Sequence, residues 1–219
     1  MSVPHTPVPG RRDGEGTRQK LLRAALELFT GEGFLASTTP VIAQRAGVAE
    51  GTIYRHFSGK EHLLNEVFRG TQRWATSVVK EVDADRSLKA PDRLARIARR
   101  FVETAERDPA GARMLLRQRD AQFLDPPSRD AAREFREALQ QVVAAGKADG
   151  LVRAGPAELW TSVWLVMLAF IIERVSAKEW AGDAPQVNQT IEAAWSAIAA
   201  PAPLAPGRTS SPEGSPAEG

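Results

Sequence analysis

TPVIAQRAGVAEGTIYRHFSGK, residues 39–60, reads as two short helices joined by a tight glycine turn, with a third helix starting straight after. Thr39 and Pro40 serve as N-cap and N1, because proline's missing N–H costs nothing in a first turn. That helix runs through Ala46, and Gly47 closes it with the positive φ that a C′ residue often needs. The next helix spans Ala49 to His56, with Ile53 and Phe57 turned inward. This is the layout of a helix-turn-helix, whose second helix lies in a DNA major groove. Its polar residues Thr52, Tyr54, Arg55 and His56, together with Lys60, are types that contact phosphates and base edges.

Working outward, Thr17 is a good N-cap for a helix ending at Gly31 and Gly33, with Leu22, Ala25, Leu26 and Phe29 as its buried stripe. Ser58 and Glu61 fit a capping box opening a fourth helix. Leu64, Val67, Phe68, Thr71, Ala75, Val78 and Val82 keep helical spacing along it, long enough to enter a second domain. Further helices are predicted over 92–106, 110–122, 128–149, 156–179 and 185–199, with Pro and Gly at the breaks. No alternating run suggests a strand. The fold class is all-α, with about nine helices. Residues 1–14 form a disordered arm, 15–62 the helix-turn-helix domain, 63–200 a helical ligand-binding and dimerisation domain, and 201–219 a disordered tail.

Composition excludes more than it selects. A chain of 219 residues with 42% apolar and 26% charged residues is ordinary for a globular protein, and it has no cysteine for disulfide or thiolate chemistry. The net charge of +2 is uneven: residues 1–62 carry eight Lys/Arg against six Asp/Glu, whereas 156–219 carry three against seven. The front of the chain therefore suits a polyanion better than the back. The N-terminus has no secretory apolar core, and the run Leu159 to Val175 is too short and interrupted for a membrane span, so a cytoplasmic protein without a membrane partner is expected.

Catalytic constellations are missing from the sequence, and no cofactor is implied. His62 and Glu66 stand one helical turn apart, but two ligands are too few for a metal site. Lys60, near the start of its helix, opposes the helix dipole by a few tenths of a kcal/mol. A phosphate held by both the ammonium and the helix N-terminus offsets that cost. Gly51 costs about 0.5–1 kcal/mol relative to Ala, and a position without a side chain suits close approach to a sugar-phosphate strand. Arg55 and His56 are candidates for direct readout, with solvated surface an equal alternative. Residues 156–179 are apolar almost all round, so part of that helix is expected to be covered by another chain. Pairing it with 185–199 and their symmetry mates gives a four-helix dimer interface through Leu168, Ile171, Ile172, Val175, Ile191 and Trp195.

From Thr17 to about Leu64 the chain resembles the TetR family of bacterial transcriptional repressors. The match is carried by TRQKLLRAALELF, by Gly33-Phe34, and by IAQRAGVAEGTIYRHFSGKEHLL. The resemblance implies a homodimer that binds a palindromic double-stranded DNA operator and releases it when a small, apolar or amphipathic inducer enters the second domain. By matching positions, Thr39, Thr52, Tyr54, His56 and Lys60 contact phosphates or bases, with Glu50 and Gly51 at the leading edge of the reading helix. Ala49 departs from the Ser N-cap common in the family, at about 1 kcal/mol, and Pro40 occupies a position where some members place a DNA-contacting side chain. Phe101, Met114, Phe123, Trp160, Trp164 and Met167 are the candidate pocket residues. Two other classes stand beside this one: a DNA-binding protein of the same fold without an inducer, acting in chromosome organisation, and a helical ligand-binding protein with a vestigial DNA-binding unit.

Overall fold

The computed structural model describes residues 12–115 and 121–201. The named elements among them are all helical: α1 (Arg12–Gly31), α2 (Thr39–Ala46), a 3-10 turn (Glu50–Thr52) leading into α3 (Ile53–His56), α4 (Lys60–Asp83), α5 (Ala90–Arg107), α6 (Pro109–Leu115), a second 3-10 turn (Ala121–Phe123), α7 (Pro126–Ala148), α8 (Ala157–Ser176) and α9 (Pro185–Ile198). An isolated antiparallel bridge, Val152 with Ala199, clips the end of α9 to the α7–α8 connection.

The expected elements are present with shifted ends. Helix α1 begins at Arg12, ahead of Thr17 and inside the segment expected to be disordered. The first turns gain from Glu15, which accepts a bond from Gln19 at 2.8 Å. The rest of the predicted arm, most of the predicted tail and residues 116–120 of the predicted 110–122 helix lie outside the described residues. Thr38, rather than Thr39, is the N-cap of α2, so Thr39 is helical, while Gly47 takes φ 69° as its C-cap. The capping box does not form: Gly59 is the N-cap of α4, and the Ser58 N–H donates to His62 Nδ1 at 3.1 Å. His62 thus does for the backbone what Glu61 was expected to do.

Two hydrophobic clusters organise the chain, and α4 enters both. The first gathers Leu21, Ala25, Leu28, Phe29, Ile42, Ile53 and Phe57 around Leu63, Leu64, Val67 and Phe68 of α4, with Met114 and Leu124 reaching in from further along. The second gathers α5, α7, α8 and α9 around Ala75, Val78, Val79 and Val82 of the same helix. At 24 residues α4 is about 36 Å long, which lets one rigid rod serve both.

The second cluster corrects the assignments made along α8 and α9. Leu168, Ile171, Ile172, Val175 and Ile191 are all buried in the chain's own core, and Trp195 packs half-buried against it. The five buried ones are therefore spent within the chain, and of the six only Trp195 keeps surface that a second copy could cover. A helix apolar on every side does not announce which face points in. The face left exposed on α8 carries Leu159, Val166 and Phe170. By length and composition only, α8 is long and apolar enough to cross a membrane; its buried stripe joins the second core.

The six candidate pocket residues do not converge either. Phe101 and Trp164 are closed in the second core, which Met167 and Trp160 flank, while Met114 belongs to the first. Phe123 stacks on Phe34 with ring centroids 4.5 Å apart. Trp160 donates to the Ala154 carbonyl at 3.1 Å.

Candidate nucleic-acid interface

Helix α2 sinks Ile42 and Ala43, and α3 sinks Ile53, so the two helices are fixed by their apolar sides. Gly47 N–H donates to the Gln44 carbonyl and Val48 N–H to the Ala43 carbonyl, closing α2. With only a methyl at Ala49, backbone groups hold the next turn: Thr52 N–H meets the Ala49 carbonyl at 2.9 Å. That turn is 3-10 rather than α, so the predicted single helix from Ala49 is a 3-10 turn followed by four α-helical residues.

What this leaves outside is polar. Tyr54 is 58% exposed although it is the chain's one tyrosine. Its hydroxyl meets Thr39 Oγ1 at 3.3 Å, joining the two helices through a pair of groups that can both donate and accept. Glu50, Gly51 and Arg55 are exposed on the same short segment, and Thr52 is half-buried. A Cβ placed on Gly51 would meet nothing within 4 Å, so no packing within the chain demands glycine there. His56 is less available than expected, since it is half-buried.

Lys60 stands at N1 of α4, not N2, and it is already engaged. Its ammonium donates to the Phe34 carbonyl at 2.9 Å and lies 4.3 Å from the centre of the Phe34 ring. An ammonium has three protons, so one contact to the α1–α2 loop leaves donors for a phosphate. The loop is shaped by Gly33 at φ 101° and by Ser37, whose hydroxyl donates to the Gly33 carbonyl at 2.7 Å. Leu35, beside Phe34, is 76% exposed, the most exposed large apolar side chain described and one the sequence did not single out.

A network the sequence reading missed sets how this unit sits on the rest. Arg18 of α1 and Arg69 of α4 both pair with Glu66, and Arg69 continues to Asp125 at 2.7 Å. The hydrogen bond from Arg69, helped by Arg18, holds the Glu66 carboxyl below its ordinary pKa against the cost of burial. At Asp125 burial pushes the other way, but bonds from Ser128 and Arg69 outweigh it and the pKa is again lowered. Asn65, 4% exposed, adds three bonds: its amide donates to the Glu61 and Phe123 carbonyls, and its oxygen accepts from Asp125 N–H. Glu66/Arg69, Glu61/Asn65 and Asp125/Ser128 are local pairs; the bonds that join α1, α4 and the segment before α7 link residues about fifty or more apart.

The fold and this site define a helix-turn-helix protein carrying a second, helical domain. Residues 21–67 match the family model described as bacterial regulatory proteins, tetR family. Among similar sequences are the HTH-type transcriptional regulator SrpR of Pseudomonas putida, 42% identical over 60 residues, and the HTH-type transcriptional repressor KstR2 of Rhodococcus jostii, 42% identical over 55. These matches take in 27% and 25% of the chain and only 28% and 27% of the relatives' own length. The fold likeness is broader. A TetR family transcription regulator from Marinobacter aquaeolei superposes with TM-score 0.74 at 20% identity, over 88% of this chain and all of that one. FadR from Bacillus subtilis, solved in complex with stearoyl-CoA, superposes with TM-score 0.66 at 23% identity, over 83% of this chain and 99% of that one. Residues 21–67 thus carry a tetR-type DNA-binding segment, the whole chain shares the fold of these regulators, and the relatives it matches are named as regulators.

Proposed function

We propose that this chain is a cytoplasmic transcriptional regulator, acting as a repressor, that binds a palindromic DNA operator as a homodimer and lets go when a small apolar or amphipathic molecule binds. One observation carries the DNA reading. The α2–α3 unit buries Ile42, Ala43 and Ile53 and leaves Glu50, Gly51, Tyr54 and Arg55 exposed and Thr39 and Thr52 half-exposed, with Lys60 at one edge. Phosphates are taken by the Thr39–Tyr54 hydroxyl pair and the Lys60 ammonium, which position the unit, and bases by Arg55 and Thr52. His56 contributes less, because it is half-buried.

The dimer is supported by the exposed face of α8. Leu159, Val166 and Phe170 follow one another at spacings of seven and four, the repeat of a helix–helix seam. A second copy meeting this face also supplies the two-fold symmetry of a palindrome. The ligand response is supported by α4, whose two halves serve different cores, so a tilt of one half moves the reading unit. The FadR neighbour crystallised with stearoyl-CoA is a member of the same fold with a bound small molecule.

The test is selection of genomic DNA fragments by the purified chain at near-physiological salt, followed by sequencing. A few enriched fragments sharing a palindrome, with binding weakened in Tyr54→Phe, are expected. Broad enrichment without a motif would point instead to chromosome organisation, and no enrichment would remove DNA recognition as the main activity.

A further inference from the structure

Between α1 and the wall formed by α4, α5 and α6 lies an open cleft of about 390 Å³, within the range of small-molecule sites. Leu22, Leu26, Val67 and Trp74 give it an apolar floor. The Trp74 ring is braced from behind by Phe101, with centroids 5.4 Å apart. None of the six pocket residues suggested by sequence lines it.

We propose that this cleft is a binding site for a compact, neutral, largely apolar molecule carrying one hydroxyl or N–H donor. Neutrality follows from the rim, where the charges are already matched. Both Glu66 oxygens are held by arginines, and Asp108 Oδ1 accepts from Arg23 at 2.7 Å and from Gly111 N–H at 3.1 Å. A charged ligand must break such a pair; a neutral one need not. The donor requirement follows from Thr71 and Thr104. Their hydroxyl protons are committed to the Val67 and Arg100 carbonyls, which leaves their oxygens able only to accept.

Gly70 is the second, independent observation. It lies inside a 24-residue helix, where glycine costs about 1 kcal/mol relative to alanine, and it lines the cleft. A Cβ there would meet nothing within 4 Å, so no neighbour requires its absence. A bulkier side chain at this position therefore has room to enter the cleft. Because one wall is α1 and the other α4 to α6, an occupant parts the reading unit from the second core. That consequence, though not binding itself, rests on the ligand-responsive reading above.

The test titrates N-phenyl-1-naphthylamine, a neutral aromatic amine with one N–H, into the full chain and follows its emission. Saturable binding is expected, weakened at least tenfold in Gly70→Leu and in Thr104→Leu, which fill the cleft from two walls. Each variant is checked for helical circular dichroism and a cooperative melt, so that one failing to fold leaves the other to decide. No saturable binding, or equal binding by a folded filled variant, overturns the proposal. Binding that the variants abolish while DNA affinity stays unmoved by the amine keeps the site and overturns the regulatory reading.

Discussion

Lys60→Met separates the Phe34 contacts that the structure shows for this ammonium from the phosphate contact proposed for it. Its methionine stem still covers the Phe34 ring, but the contact to the Phe34 carbonyl at 2.9 Å and the charge 4.3 Å from that ring are lost. A bond from a charged donor is worth about 1.5–3 kcal/mol and a partly exposed cation–π contact about 0.5–1. Allowing for water replacing part of both, the chain should lose about 1–2 kcal/mol in urea unfolding. The DNA effect has a different signature. Each phosphate neutralised contributes about 0.9 to the slope of log K against log salt. A dimer losing one contact per protomer therefore loses about 1.8 in slope, equivalent to roughly sixtyfold in affinity near ~0.1 M salt and almost nothing near ~1 M. Fluorescence anisotropy on a selected operator across a salt series measures this directly. An affinity that falls equally at every salt concentration, with the slope intact, would show that Lys60 acts only by holding the Phe34 loop and would refute the phosphate contact.

Asn65→Leu removes three bonds and leaves the Asp125 N–H and the Phe123 carbonyl without their partner. At about 1–3 kcal/mol per buried orphan the chain should lose about 2–4 kcal/mol, read by denaturant unfolding; a loss under about 0.5 kcal/mol would mean water replaces the amide freely. Glu66 has a lowered pKa in the fold, caused first by Arg69 and then by Arg18. Its contribution is therefore full above the unfolded carboxylate value near ~4.3 and is lost as pH falls through the depressed folded value. Glu66→Gln should accordingly cost about 1 kcal/mol at neutral pH and converge on the wild type in strong acid, and parallel pH–stability curves would contradict the network. Val166→Glu, at the 68% exposed centre of the α8 face, should yield a folded monomer by light scattering with much weakened operator binding. An unchanged dimer would place the two-fold contact elsewhere.

How much of this was legible in sequence depended on the range of each signal. The α2 turn at Gly47 and the inward Ile53 and Phe57 were readable because every determinant lies within a few residues. The capping box failed because His62, four residues from Ser58, competes for the same N–H. The start of α1 was misplaced because Gly14 and Gly16 beside a Pro-rich stretch read as loop, whereas the helix runs through both. Along α8 periodicity carried no information, since apolar residues occupy nearly every face; only packing shows that Leu168 and Ile171 point in while Val166 points out. The Arg18–Glu66–Arg69–Asp125 chain and the α1 cleft join distant segments, and no local pattern encodes them.

The shortness of the reading element limits how much address it can carry. Three residues of 3-10 turn and four of α-helix span about 12 Å, the length of three to four stacked base pairs. A word of four letters recurs by chance roughly once in every 256 base pairs, and each wrong letter costs only about 1–3 kcal/mol. One reading head would find thousands of equally good resting places on a bacterial chromosome. On the proposed function, two such words at fixed spacing square that rarity. Finding one promoter thus depends on the distance between the two heads as much as on any side chain that touches a base.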